Sequence, residues 1–143
     1  VAALLHDIGQ FIPHSEAKVM MHGGGSLGKV SHEAVGEHYL KDLGFPPKVY
    51  SLVGAHVVAK RYLTAKRPSY LDALSPASRL SLKYQGGPFT ADEAAEFEKD
   101  PYHKEKVALR LWDDRAKRDD WHAPGLEEYR PLILSVLQRT ATT

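Results

Sequence analysis

Pro46-Pro47-Lys48-Val49-Tyr50-Ser51-Leu52-Val53-Gly54-Ala55-His56-Val57-Val58-Ala59-Lys60-Arg61-Tyr62-Leu63 spaces its apolar side chains at intervals of three and four. One face reads Val49, Leu52, Val53, His56, Lys60 and Leu63, the period of an α-helix, and the two prolines suit a helix start. The spacing predicts a single helix from Pro47 to about Leu63. His56 and Lys60 then sit one turn apart on a stripe that should be apolar. A core histidine with one satisfied hydrogen bond accounts for His56 alone, and a snorkelling ammonium accounts for Lys60 alone. Lysine is almost never fully buried unpaired. Together the two residues point to a cavity at that end of the helix, holding an anion for Lys60 and a metal for His56.

Working outward, the helical period runs through most of the chain, and no alternating strand pattern stands out. Residues 1–8 read as a helix end closed by Gly9. Residues 13–30, with Pro13 and Gly23-Gly24-Gly25 before Gly28, read as irregular. A helix opens after Ser31, a suitable N-cap, and runs to Gly44, a suitable C-cap. The segment from Arg67 to Pro88 is looser, with a short helix over Ala77–Tyr84 ended by Gly86-Gly87-Pro88. Thr90 and Glu93 form a capping box for a helix through Phe97. Helices over Lys104 to about Lys117 and Leu132 to Arg139 complete the set. The expectation is one all-α domain over residues 1–143. It opens in mid-helix on Val1, so helices N-terminal to it are expected to be missing.

The composition is that of an ordinary globular domain: 143 residues, 43% hydrophobic and 26% charged. A net charge of +1 argues against a broad electrostatic grip on nucleic acid or membrane. No apolar run approaches the ~20 residues that span a bilayer. The cytoplasm is the default expectation. With no cysteine, any metal must be held by nitrogen and oxygen, which favours iron, manganese, magnesium or zinc in a His/carboxylate shell.

Four separated patches carry such ligands: His6-Asp7, His32-Glu33, His56 and Asp113. His6-Asp7 lies in the apolar stretch Ala3-Leu4-Leu5-His6-Asp7-Ile8-Gly9, where an uncompensated charge costs several kcal/mol. A bound cation is the simplest compensation, although a helix end facing water also accounts for this patch. Arg110, Asp113 and Lys117 share one face of their helix, either as a solvated ion-pair stripe or, with Trp112, Leu109 and Leu111 crowding it, as a partly buried set. Gly23 to Val30 approaches a phosphate-binding loop, but Val30 stands where a Ser or Thr is needed and no sheet surrounds it.

His6-Asp7-Ile8-Gly9, His32-Glu33, His56 and Asp113, in that order along an all-α chain, resemble the HD-domain metalloprotein superfamily. Further stretches resemble its phosphonate-catabolism branch of oxygenases, relatives of myo-inositol oxygenase. They are His56-Val57-Val58-Ala59-Lys60-Arg61-Tyr62-Leu63, Leu74-Ser75-Pro76-Ala77-Ser78, Tyr84-Gln85-Gly86-Gly87-Pro88, Arg110-Leu111-Trp112-Asp113-Asp114 and Pro124-Gly125-Leu126-Glu127-Glu128-Tyr129-Arg130-Pro131-Leu132. The resemblance implies an HD-domain helical bundle and two iron ions in a mixed-valent Fe(II)/Fe(III) pair, with O₂ as co-substrate. His6, Asp7 and Asp113 would serve one iron, His32 and His56 the other, and Asp7 would bridge them. Lys60, Ser78, Gln85 and Arg110 match positions that hold a small-molecule organophosphonate, and Lys117 matches a relative's substrate lysine less closely. Redox chemistry would belong to the iron, with no side-chain nucleophile. The implied reaction cleaves the C–P bond of a 1-hydroxy-2-aminoalkylphosphonate, N-methylated or not, to phosphate and an amino acid. The broader superfamily implies the alternative, a divalent-metal phosphohydrolase acting on a nucleotide or other phosphate ester. Gln10 departs from the branch, where some members carry a second histidine, and the branch's first iron-ligand histidine normally stands on a helix upstream of the His-Asp pair, a position this chain begins too late to show.

Overall fold

A computed structural model describes residues 1–13, 19–22, 25–29 and 31–141. The elements are α1 (Ala2–Leu5), a 3₁₀ turn (Ile8–Gln10), β1 (Val19–His22), β2 (Gly25–Lys29), α2 (His32–Asp42), α3 (Pro47–Gly54), α4 (His56–Lys66), α5 (Pro68–Ala73), α6 (Pro76–Tyr84), α7 (Ala91–Glu98), α8 (His103–Ala116), a second 3₁₀ turn (Leu126–Tyr129) and α9 (Arg130–Ala141). Helices build the domain, as the periodicity requires. Among the described residues no helix is long and apolar enough to cross a membrane.

The hydrophobic core gathers Ala2, Leu40, Phe45, Val49, Val53 and Leu109, with the α9 residues Ile133, Val136 and Leu137 packed against it. Helices α2 and α3 form its centre, turned on each other by a glycine cap. Gly44 takes φ +83° and donates to the Lys41 carbonyl, while the Phe45 N–H reaches back to the Leu40 carbonyl. This paired arrangement closes orphan carbonyls at the helix end and tucks Phe45 into the core. The Thr90–Glu93 capping box forms as the sequence predicts.

Two expectations need correction. The helix predicted from Pro47 to Leu63 is two helices, broken at Ala55, whose N–H bonds the Leu52 carbonyl in a tightened last turn. Glycine is a poor helix former, and Gly54 stands at the break because Glu37 crosses there. A Cβ on Gly54 would meet the Glu37 carboxylate at 2.0 Å. Within the stretch 13–30, read as irregular, Val19–His22 and Gly25–Lys29 pair as two antiparallel strands, with Val19 opposite Lys29 and His22 opposite Gly25. Pairing between two short strands, one of them carrying two glycines, leaves little periodic trace. The phosphate-loop lookalike falls partly on β2, while its Gly23, Gly24 and Val30 lie outside the described residues. The charged face of the Lys104–Lys117 helix is partly buried, with Arg110 4% exposed beside the buried Leu109, while Trp112 is 57% exposed.

Candidate metal centre and anion pocket

His6 and Asp7 stand where α1 ends and the 3₁₀ turn begins. Gly9 explains how that turn reaches its neighbours: a Cβ there would lie 1.9 Å from the His32 carbonyl oxygen and 2.8 Å from the Gly36 nitrogen. Only glycine lets the turn cross α2 backbone to backbone. The crossing brings Asp7 to the first residue of α2, with Asp7 Oδ1 3.2 Å from His32 Nε2.

His56 opens α4 directly after the helix break. Its Nδ1 lies 2.8 Å from the Val53 carbonyl, a bond that puts the ring proton on Nδ1 and leaves a lone pair on Nε2. That Nε2 stands 2.9 Å from His32 Nε2 and 3.6 Å from Asp7 Oδ1. Burial, reinforced by the neighbouring histidines, pushes the His56 pKa down to about 4, so the ring is neutral near pH 7 and in its metal-binding form. Ligand atoms of Asp7, His32 and His56 all lie within 4.8 Å of one another. Metal–ligand bonds of about 2.1 Å set neighbouring donors about 3 Å apart in an octahedron, so this donor set fits a small divalent or trivalent cation.

A second group adjoins the first through the same carboxylate. His6 Nε2 lies 3.5 Å from Asp7 Oδ2 and 3.5 Å from Asp113 Oδ1. The two oxygens of Asp7 therefore face different partners, Oδ1 toward His32 and His56 and Oδ2 toward His6. Burial opposes ionisation of both carboxyls. It is outweighed at Asp7 by the hydrogen bond from His32 and the charge of the histidines, and at Asp113 by His6, Arg110 and Lys117, which hold it well below the usual carboxylate range. Burial also opposes protonation of His6, but its bonds to Asp113 and the Ala3 carbonyl raise its pKa.

A cavity of about 280 Å³ opens from these ligands and is lined on its far side by Lys60, Ser78, Gln85 and Arg110. Lys60 is 3% exposed and donates to Ser81 Oγ at 2.8 Å. Burial, together with repulsion from Arg110 and Lys117, lowers its pKa to about 8. Arg110 is equally buried, and Lys117 reaches in from the end of α8 to Ser78 Oγ at 3.2 Å. Gln85 Oε1 is buried without a hydrogen-bond partner among the described residues. Three cations thus converge beside a cluster of metal-type ligands.

The HD-domain family model matches residues 1–116. This chain belongs to the HD-domain family. Among known proteins, this HD domain is 40% identical over 139 residues to 1-hydroxy-2-(trimethylamino)ethyl-phosphonate dioxygenase (glycine-betaine-forming) of Leisingera caerulea. It is also 40% identical over 141 residues to hydroxymethylphosphonate dioxygenase of Gimesia maris, and 39% identical over 140 residues to an uncharacterized protein of Acanthamoeba polyphaga mimivirus. These alignments cover 97%, 97% and 98% of the chain, which spans 68%, 67% and 63% of those relatives' lengths respectively.

All nine site residues singled out in the sequence converge on this region of the HD domain. Eight line the cavity, and His6 stands behind Asp113. His32, which stands in the first turn of its helix, is 6% exposed. Sequence reasoning missed Ser81, whose spacing from Ser78 on α6 and from Gln85 at its C-cap is a readable signal. It also missed Tyr70 and Asp114, which hold Arg110 from behind. Nothing local in the sequence links Tyr70 to a residue 44 positions away. Gln10 also lines the cavity.

Proposed function

We propose that this HD domain is the metal- and substrate-binding part of an iron- and O₂-dependent oxygenase that cleaves the C–P bond of a small 1-hydroxyalkylphosphonate. The reaction converts one 1-hydroxyphosphonate and one O₂ to a carboxylic acid and inorganic phosphate, so its atoms and electrons balance without an external reductant. A 2-amino or 2-trimethylamino substituent gives glycine or glycine betaine as the acid. The observation that carries the reading is the direct opening of the Lys60–Arg110–Lys117 anion pocket onto the Asp7–His32–His56 cluster within one small cavity. The phosphonate dioxygenases among the relatives support the same chemistry.

Asp7, His32 and His56 would hold one iron, and His6 and Asp113 the other, with Asp7 shared through its two oxygens. Two irons, one ferrous and one ferric, would supply O₂ activation and a Lewis-acid contact for the substrate hydroxyl. The protein's own share is charge and orientation. Lys60 contributes a compact point charge and Arg110 a planar edge of donors, a complementary pair for a phosphonate dianion. Ser78 and Ser81 hold the ammonium groups of Lys117 and Lys60 toward the cavity. With the phosphonate held there, the hydroxyl-bearing carbon faces the metal ligands. The volume of about 280 Å³ suits a few-atom phosphonate better than a nucleotide.

The test is anaerobic loading of the full-length protein with Fe(II), limited O₂, and electron paramagnetic resonance with and without a 1-hydroxyphosphonate. Phosphate release is followed by phosphorus NMR with 1-hydroxy-2-aminoethylphosphonate, its trimethylammonium analogue and hydroxymethylphosphonate. A coupled mixed-valent signal that shifts with substrate, and O₂-dependent phosphate release, are expected. Oxygen-independent hydrolysis of phosphate esters with Mn(II) or Mg(II) would instead establish a phosphohydrolase.

A further inference from the structure

Arg110 is held on two sides. Its Nη1 donates to Asp113 Oδ2 at 2.9 Å, next to the metal ligands. On the opposite edge, Nε and Nη2 form a fork on the two oxygens of Asp114, one turn further along α8. The Tyr70 hydroxyl, brought in by α5, closes this second contact. It accepts from Arg110 Nε at 3.1 Å and donates to Asp114 Oδ2 at 2.5 Å. Tyr70, Asp114 and Arg110 therefore form a ring of three mutually hydrogen-bonded residues, and among the three only Arg110 lines the cavity itself.

We propose that Tyr70 and Asp114 are positioning residues that occupy the Nε–Nη2 edge of Arg110, so that its Nη1 edge is the one turned to Asp113 and to an anion in the cavity. The inference rests on the reading above, in which Arg110 holds the substrate phosphonate. A guanidinium released from Asp114 has a second carboxylate at hand. It would fork onto Asp113 instead, turning its donors from the cavity. Tyr70 prevents this by fixing Asp114 from the side that α8 leaves open.

The idea makes a prediction opposite in sign to simple electrostatics. A negative charge near Lys60 and Lys117 repels an anion, so loss of the Asp114 charge should tighten phosphonate binding if charge were its only role. Positioning demands that binding weaken. The experiment measures iron content, affinity for inorganic phosphate and hydroxymethylphosphonate, and steady-state kinetics on the iron-loaded full-length protein, with thermal unfolding in parallel. Asp114→Asn is expected to raise Kd and KM about tenfold while kcat stays within about twofold. Tyr70→Phe, which removes one hydroxyl and no charge, should move KM about threefold in the same direction. Asp114→Glu, able to rebuild the fork, should recover most of the loss. Unchanged or tighter binding in Asp114→Asn, or loss of iron in both variants, overturns the proposal. A wild-type protein that binds neither probe overturns the phosphonate reading itself, and the inference with it.

Discussion

Burial and neighbouring charges set the protonation of Lys60, His56 and Asp113 in the cavity. Lys60 is the clearest case. Its pKa of about 8 lies below the ordinary 10.5 because burial and two nearby cations disfavour the ammonium. Anion affinity should therefore be full below about pH 8 and fall as pH rises through it. The inflection should move upward when a dianion is bound, since the anion restores the charged form. Titration calorimetry with inorganic phosphate from pH 6.5 to 9.5 checks this, and Lys60→Met should flatten that step. The same depression makes the unfolded chain the better proton binder between about pH 8 and 10.5, so Lys60 costs stability at neutral pH and the cost fades as pH rises across that window. At the metal side, His56→Ala removes a proposed ligand whose tautomer is set by the Val53 carbonyl. The expected outcome is loss of one bound iron per chain with the fold retained, read by metal analysis and circular dichroism. Retention of both irons would remove His56 from the ligand set.

At the scale of elements, two local irregularities build the site. The break between α3 and α4 lets the His56 ring reach back to the Val53 carbonyl and aims its Nε2 at Asp7. The crossing of the 3₁₀ turn over α2 depends on Gly9. Gly9→Ala would drive a methyl group into rigid backbone at 1.9 Å, so the turn must lift and carry Asp7 away from His32. Destabilisation of roughly 2–4 kcal/mol and loss of metal are expected, measured by chemical unfolding and metal stoichiometry. Gly36→Ala provides the contrast. Its added Cβ meets two side-chain methyls at 3.2 Å and the Gly9 nitrogen at 3.3 Å, contacts that small shifts relieve, and it should cost about 1 kcal/mol. The sequence supports the existence of these helices but not the break, because Val49 to Leu63 keeps its period across Ala55. It names Gly9 as a helix stop and says nothing of the backbone it must pass.

For the whole molecule, the proposed ligands come from the α1 end, α2, α4 and α8, four elements spread over more than 100 positions of the chain. A cation held among them ties these elements together and binds the native state alone. At a thousandfold excess over its dissociation constant it should add about 4 kcal/mol, or a rise in Tm of about 10 °C, which chelation reverses. Differential scanning calorimetry with and without Fe(II) under argon tests this, and equal melting temperatures would mean that the cluster holds no structural charge worth compensating.

The sequence by itself determined the helical class and the ligand types, since periodicity and the lack of cysteine are properties of composition and order. His56 and Lys60 announced a cavity because a polar pair on an apolar stripe is costly to bury without a purpose. The two-sided role of Asp7, the depth of His32, the Tyr70–Asp114 hold on Arg110 and the β1–β2 pairing were decided only by the tertiary structure. Each depends on distances between residues far apart in the chain, and a sequence pattern reports faces and intervals along one element, not which oxygen of a carboxylate meets which ring.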